Sequence, residues 1–144
     1  MNVTLFSVTQ RLVGLREVVG HGSHPLVLGM LRLDNPGVAD DDTPWCSALV
    51  NFTAELLGLP RSHSLAARSW LDVGVPITLH EARPANDVVV FWRGAEDDGV
   101  HGHVGVYAGF DGASVLVLGG NQSNQVSIAP YPLSKLLGVR RLAA

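Results

Sequence analysis

The sequence predicts an α+β domain in which helices come first and then pack against one antiparallel sheet. Two observations carry this. Apolar residues in the first half recur at helical spacing behind start signals, and the second half holds β-branched runs separated by glycine-rich turns. No repeat, low-complexity tract or linker divides the 144 residues, so residues 1–144 are read as a single unit with one core.

Each element has its own signal. Ser7-Val8-Thr9-Gln10 fits a capping box, and Val8, Leu12, Leu15 and Val19 follow at helical spacing before Gly20. His24-Pro25 opens a second helix through Met30 and Leu33, because proline suits the first helical position. Thr43-Pro44 repeats that start signal. Trp45, Leu49, Phe52 and Leu56 then form one stripe that ends at Gly58. A shorter helix over residues 64–72 closes at Gly74. Pro84-Ala85-Asn86-Asp87 is a turn, and residues 88–92 are apolar on both faces, which predicts a buried central strand. After a polar loop over residues 93–102, residues 103–108 and 113–118 form a hairpin around Gly109-Phe110-Asp111-Gly112. Residues 125–129 give a weaker strand, and residues 138–142 an edge strand.

Composition narrows the function. The formal charge is −3 and Lys135 is the only lysine, so there is no basic tract for nucleic acid. No apolar run reaches the ~18–20 residues of a membrane span, and the N-terminus lacks the pattern of a signal peptide. The chain is expected to be made in the cytoplasm and to work as a monomer. The single cysteine, Cys46, excludes an intrachain disulfide and a thiolate-rich zinc or iron–sulfur site, and no cofactor is expected.

Cys46 lies at the start of the third predicted helix, where unpaired backbone N–H groups and the helix dipole favour a thiolate and pull its pKa below the free value of about 8.5. The alternative is a cysteine that only packs as a small apolar group. In His101-Gly102-His103-Val104-Gly105-Val106-Tyr107, alternation puts His103, Gly105 and Tyr107 on one face and the valines on the core face. His103 is therefore a candidate base at a strand start, with Gly105 clearing space beside it. Gly119-Gly120-Asn121-Gln122 reads either as a turn or as the source of an amide that fixes the imidazole tautomer. Cys46, His103 and Asn121 in that order suit acyl transfer through a thiol.

Four segments now resemble one family. Thr43-Pro44-Trp45-Cys46-Ser47, Arg68-Ser69-Trp70-Leu71, Gly102-His103-Val104-Gly105 and Gly119-Gly120-Asn121-Gln122 look like the NlpC-like and CHAP-like papain-fold cell-wall hydrolases, in their small phage and bacterial branch. Asp87-Val88-Val89-Val90-Phe91 and Tyr131-Pro132 match too, so the likeness runs from about Leu15 to Arg140. The resemblance implies a papain-like domain with Cys46 as nucleophile, His103 as general base and Asn121 as the residue orienting His103. It implies hydrolysis of a peptidoglycan amide, in the stem peptide or between glycan and peptide. The missing export signal suits either a phage endolysin delivered to the wall by another system or a secreted toxin-like effector. The Cys46 N–H is the natural first donor to an oxyanion, and Trp45 and Gln122 adjoin the site as candidate substrate contacts. Two positions depart from the pattern: Asn86 stands where glycine is usual, and Gly119 stands where related CHAP domains often carry glutamate.

Other readings draw on other residues. His101-x-His103 with His21-x-x-His24 resembles a zinc peptidase ligand set, but no HExxH helix accompanies it. His63 and His80 have no companions. The acidic clusters Asp40-Asp41-Asp42 and Glu96-Asp97-Asp98-Gly99 offer oxygen ligands to calcium without fitting a calcium-loop template. The same fold also suits a non-catalytic module that binds wall peptides or a partner, or an acyltransferase that passes the acyl group to an amine.

Overall fold

The computed structural model describes residues 2–18, 22–39 and 43–144. Helices α1 (Leu5–Gln10), α2 (Pro25–Asp34) and α3 (Cys46–Leu56) precede strands β1 (Val75–Ile77), β2 (Asp87–Trp92), β3 (Gly102–Phe110), β4 (Ser114–Gln122), β5 (Gln125–Pro132) and β6 (Leu136–Arg141). The strands form one antiparallel sheet in the order β1-β6-β2-β3-β4-β5. The predicted α+β class is what the chain adopts.

Period-two alternation divides the central strands between two cores. Val88, Val90, Val104 and Val106 join the helices through Leu31, Leu49, Val50 and Trp70. Val89, Phe91, Tyr107, Val115, Val117 and Val139 form a second cluster, closed by Ile77, Leu79 and Tyr131. β2 is thus buried on both faces, as its unbroken apolar run requires.

Three boundaries differ from the sequence pattern. α1 begins earlier, because Thr4 and Ser7 form the capping box and Asn86 Oδ1 accepts the Leu5 N–H at 2.9 Å. It stops at Gln10, because the chain is drawn alongside β5: Gly14 N–H donates to the Val126 carbonyl, and Val126 N–H donates back to Leu15. Leu12 and Leu15 therefore pack from a turn, and Val19 and Gly20 lie outside the described residues, as do His21 and the Asp40-Asp41-Asp42 cluster. The expected helix over residues 64–72 is a 3₁₀ turn at Ala67–Asp72. The segment predicted as an edge, β6, lies inside the sheet between β1 and β2, and the short β1 takes the edge. An interior strand ending in two arginines is tolerated because both are satisfied: Arg141 grips the fully buried Asp87 at 2.8 and 2.9 Å, and Arg140 donates to the Leu71 carbonyl at 2.8 Å.

Asn86 does not occupy a left-handed position; its side chain caps α1 and its carbonyl accepts Leu142 N–H. No helix among the described residues is long and apolar enough to cross a membrane.

Candidate active site

The helix that carries the thiol starts at Cys46 itself, two residues later than Thr43-Pro44 predicts, with Trp45 as a cap residue whose side chain makes no capping bond. The first-turn N–H groups therefore stay directed at the thiol rather than at a side-chain cap. Trp45 is fully buried, with its ring against Gly120, where a Cβ would lie 2.8 Å from two ring carbons. It packs the α3–β4 contact and is not placed to touch substrate, contrary to the expectation above.

The Val104 backbone N–H donates to the Cys46 sulfur, just beyond the point where the β3–β4 pairing ends at Val106–Leu118. This places the sulfur beside the residue that follows His103. Burial pushes the thiol up from its ordinary pKa, against the opposing pull of the Val104 backbone, the Arg93 charge and the helix terminus. The sequence expectation of a depressed pKa is corrected here: desolvation outweighs the dipole. The resting group is a neutral thiol that is 5% exposed, at the wall of a groove of about 480 Å³.

His103 is fully buried, sandwiched by Tyr131 in a parallel stack at 4.5 Å between ring centres. Its Nε2 lies 2.9 Å from Gln122 Oε1. The Gln122 amide NH₂ is already spent on the carbonyls of Val117 (3.2 Å) and Ser127 (2.8 Å) and on the Ser127 hydroxyl. Its oxygen is therefore fixed as the acceptor, and His103 must carry its proton on Nε2. That leaves the Nδ1 lone pair to accept, and the Arg93 Nη2 donates to it at 3.4 Å. Burial first, and the Arg93 charge after it, push the imidazole pKa down to about 4, so the ring is neutral at pH 7.

The amide expected at Asn121 is thus supplied by Gln122, which is 4% exposed and pairs with His103 rather than reaching substrate. The reason is a bulge. Strict alternation puts Gly119 and Asn121 on one face, but the β4–β5 register shifts between Gly119 and Gln122, and Asn121 takes φ +58°. The extra residue turns Asn121 away and brings Gln122 onto the His103 face. Gly119 is needed beneath them, since a Cβ there would sit 2.5 Å from Gln122 Oε1 and 3.2 Å from His103 Nε2. A larger residue at this position, such as the glutamate of the related pattern, does not fit beside Gln122.

Behind the thiol lies a second polar cluster. Ser47 Oγ donates to the Ser64 carbonyl at 2.6 Å and accepts Trp70 Nε1–H at 2.9 Å. Asn51, fully buried, bonds Ser47, Ser62 and Ser64 and accepts from His63 N–H and Arg61. The Leu65–Ala67 wall of the groove is tied to α3 in this way.

Sequence reasoning passed over two groups at the site. The sequence pattern puts Arg93 at the start of a loop and Tyr131 only within the Tyr131-Pro132 match. The signal was available for Arg93: alternation along β2 puts it on the same side as Phe91, the residue that pairs with His103. His101, the other member of the His-x-His pair, is exposed and bonds Asp98 at 3.1 Å. Asp98 also accepts Val100 and His101 N–H groups, so the Glu96-Asp97-Asp98-Gly99 loop spends its best oxygens on itself. Among the described residues no three His, Cys, Asp or Glu side chains converge as a metal site.

No family model matches the chain, and no curated protein matches it. Solved structures do. An NlpC/P60 family protein from Bacillus cereus ATCC 10987 superposes with a TM-score of 0.61 at 18% identity, over 98% of this chain and 40% of that one. NlpC1 from Trichomonas vaginalis gives 0.60 at 18% identity over 99% and 45%, and NlpC2 from the same organism 0.60 at 15% over 99% and 48%. The chain spans less than half the length of these solved chains. The fold is NlpC-like, a papain-type arrangement, in agreement with the motif resemblance.

Proposed function

We propose that the chain is a thiol hydrolase that cleaves an amide bond of peptidoglycan, as an endopeptidase or amidase, with Cys46 as nucleophile, His103 as base and Gln122 as the residue that orients it. The observation that carries this reading is the state of the imidazole. Gln122 fixes the Nε2–H tautomer, and the one nitrogen left to accept a proton meets Arg93, which lines the same groove as Cys46. A packing cysteine needs no such base. The NlpC-like fold and the resemblance to cell-wall hydrolase motifs supply the substrate class.

In this mechanism the Sγ–H proton passes to His103 Nδ1 as sulfur attacks the amide carbon. Charge that develops on the carbonyl oxygen is met by the Cys46 N–H at the start of α3. The imidazolium is disfavoured in its buried site, so it returns the proton readily to the leaving amine. Water, deprotonated by Nδ1, then releases the acyl group from sulfur. Gln122 Oε1 accepts the hydrogen bond from Nε2–H throughout, and the Tyr131 ring keeps the imidazole in plane.

The test is digestion of purified peptidoglycan with separation of the muropeptides by mass spectrometry. Wild type releases new amine termini and Cys46→Ala releases none while keeping its circular dichroism. Undiminished release by the alanine variant contradicts thiol catalysis.

A further inference from the structure

Two arginines stand at or behind the groove that Cys46 lines, Arg93 in its wall and Arg68 bonded to the lining residue His101, and they differ in what they have left to offer. Arg68 is spent: it donates to the carbonyls of Ala95, Glu96 and His101 at 2.8 to 2.9 Å and lies 3.2 Å from Asp98. Arg93, at the end of β2, is exposed and lines the groove together with Cys46. Among the described residues it pairs with no carboxylate; its side-chain partners are His103 Nδ1 at 3.4 Å and the Tyr131 hydroxyl. The rest of the lining is largely apolar, with Pro44, Leu65, Ala66, Ala67 and Val100, and includes the exposed His101, which is bonded to Asp98. A guanidinium with no carboxylate partner among the described residues therefore lines the same largely apolar groove as the thiol, where an anion is the group it can best accept.

The Arg93–His103 contact has a second consequence. Nδ1 is the nitrogen that must take the thiol proton, and in the resting site a cation donates to its lone pair. At 3.4 Å the bond is at the long end of the useful range, so a forked pair with a carboxylate replaces it favourably.

We propose that Arg93 is a carboxylate receptor and a cover on the base: a carboxylate on the incoming chain draws the guanidinium from His103 Nδ1 and leaves that nitrogen to the Cys46 thiol. Acyl donors with a carboxylate close to the scissile amide are then both bound and activated, whereas neutral ones meet a covered base. This inference rests on the thiol reading above and adds what the groove selects.

Alkylation of the single cysteine tests it without a natural substrate. Iodoacetate and iodoacetamide each form a C–S bond as iodide leaves and the thiol proton passes to His103, and they differ only in carrying a carboxylate or an amide. Rates are measured by mass spectrometry on the full chain. The ratio of the iodoacetate rate to the iodoacetamide rate is expected to fall about tenfold from wild type to Arg93→Gln, as one charge-assisted hydrogen bond predicts. Arg93→Lys, which keeps the charge but loses the fork, is expected to fall between them. Acetate at constant ionic strength is expected to raise the iodoacetamide rate of wild type and leave Arg93→Gln unchanged. Equal ratios in wild type and Arg93→Gln overturn the receptor and leave the thiol reading standing. An acetate effect absent from wild type overturns the cover. If neither reagent modifies the native chain, both the inference and the thiol reading fail.

Discussion

Two buried polar clusters flank the start of α3, and the contrast between them separates structure from chemistry. On one side Ser47, Asn51, Ser62, Ser64 and Trp70 close on one another. The Asn51 amide nitrogen and oxygen are both occupied several times over, so this cluster has nothing left to give a ligand. On the other side Gln122, Ser127 and His103 are joined just as firmly, but the frame consumes only one imidazole nitrogen. The second, Nδ1, is held by a single long bond from an exposed side chain. Both clusters satisfy the rule that buried polar groups must be paired. Only the second keeps a valence in reserve, and that reserve is what makes it a candidate for proton transfer.

Substitutions in the two clusters are expected to have different effects. The largest effect is expected at the thiol: if the proposed mechanism holds, Cys46→Ala lowers peptidoglycan hydrolysis by at least about 10³-fold, because loss of the proposed nucleophile leaves only binding and polar stabilisation. The second is on stability. The folded imidazole stays neutral to about pH 4, whereas an unfolded one takes up its proton near 6.5. Between those values the unfolded state binds the extra proton, so stability is complete above about pH 6.5 and falls as the pH drops to 4. The loss reaches about 3 kcal/mol, and urea titrations across that window should show a flatter slope in His103→Phe. A variant slope equal to wild type would place the acid sensitivity elsewhere.

Gln122→Ala comes third. With the amide gone the tautomer is no longer enforced, and activity is expected to fall on the order of 10²-fold, the lower end of what a positioned acid–base group supplies. Asn51→Ala belongs to the closed cluster and is expected to cost about 2 kcal/mol of stability through stranded partners. Its signature is an unchanged pH profile for alkylation of Cys46, since no reacting atom is disturbed. Smallest is Asn121→Gly, which keeps the left-handed backbone and should leave activity within about twofold. A large loss at Asn121 with none at Gln122 would reverse the assignment made here.

Much of this was legible beforehand, and the failures share one cause. Cys46 at a helix start and His103 at a strand start follow from local spacing, and the two-sided burial of β2 follows from its unbroken apolar run. The orienting amide could not be placed, because the bulge between Gly119 and Gln122 cancels alternation and depends on pairing with β5. The thiol pKa was misjudged because a helix terminus is visible in sequence, whereas burial is a property of the packed chain. α1 ended early for the same reason: residues 14–17 found a better partner in β5 than in another helical turn.

The most direct measurement is the ¹⁵N spectrum of the His103 ring in the intact protein, followed from pH 7 to pH 4. A neutral imidazole with its proton on Nε2 and an unprotonated Nδ1 is expected, unchanged until the pH approaches 4. A proton found on Nδ1 at neutral pH, or a ring already charged at pH 6, would contradict this assignment.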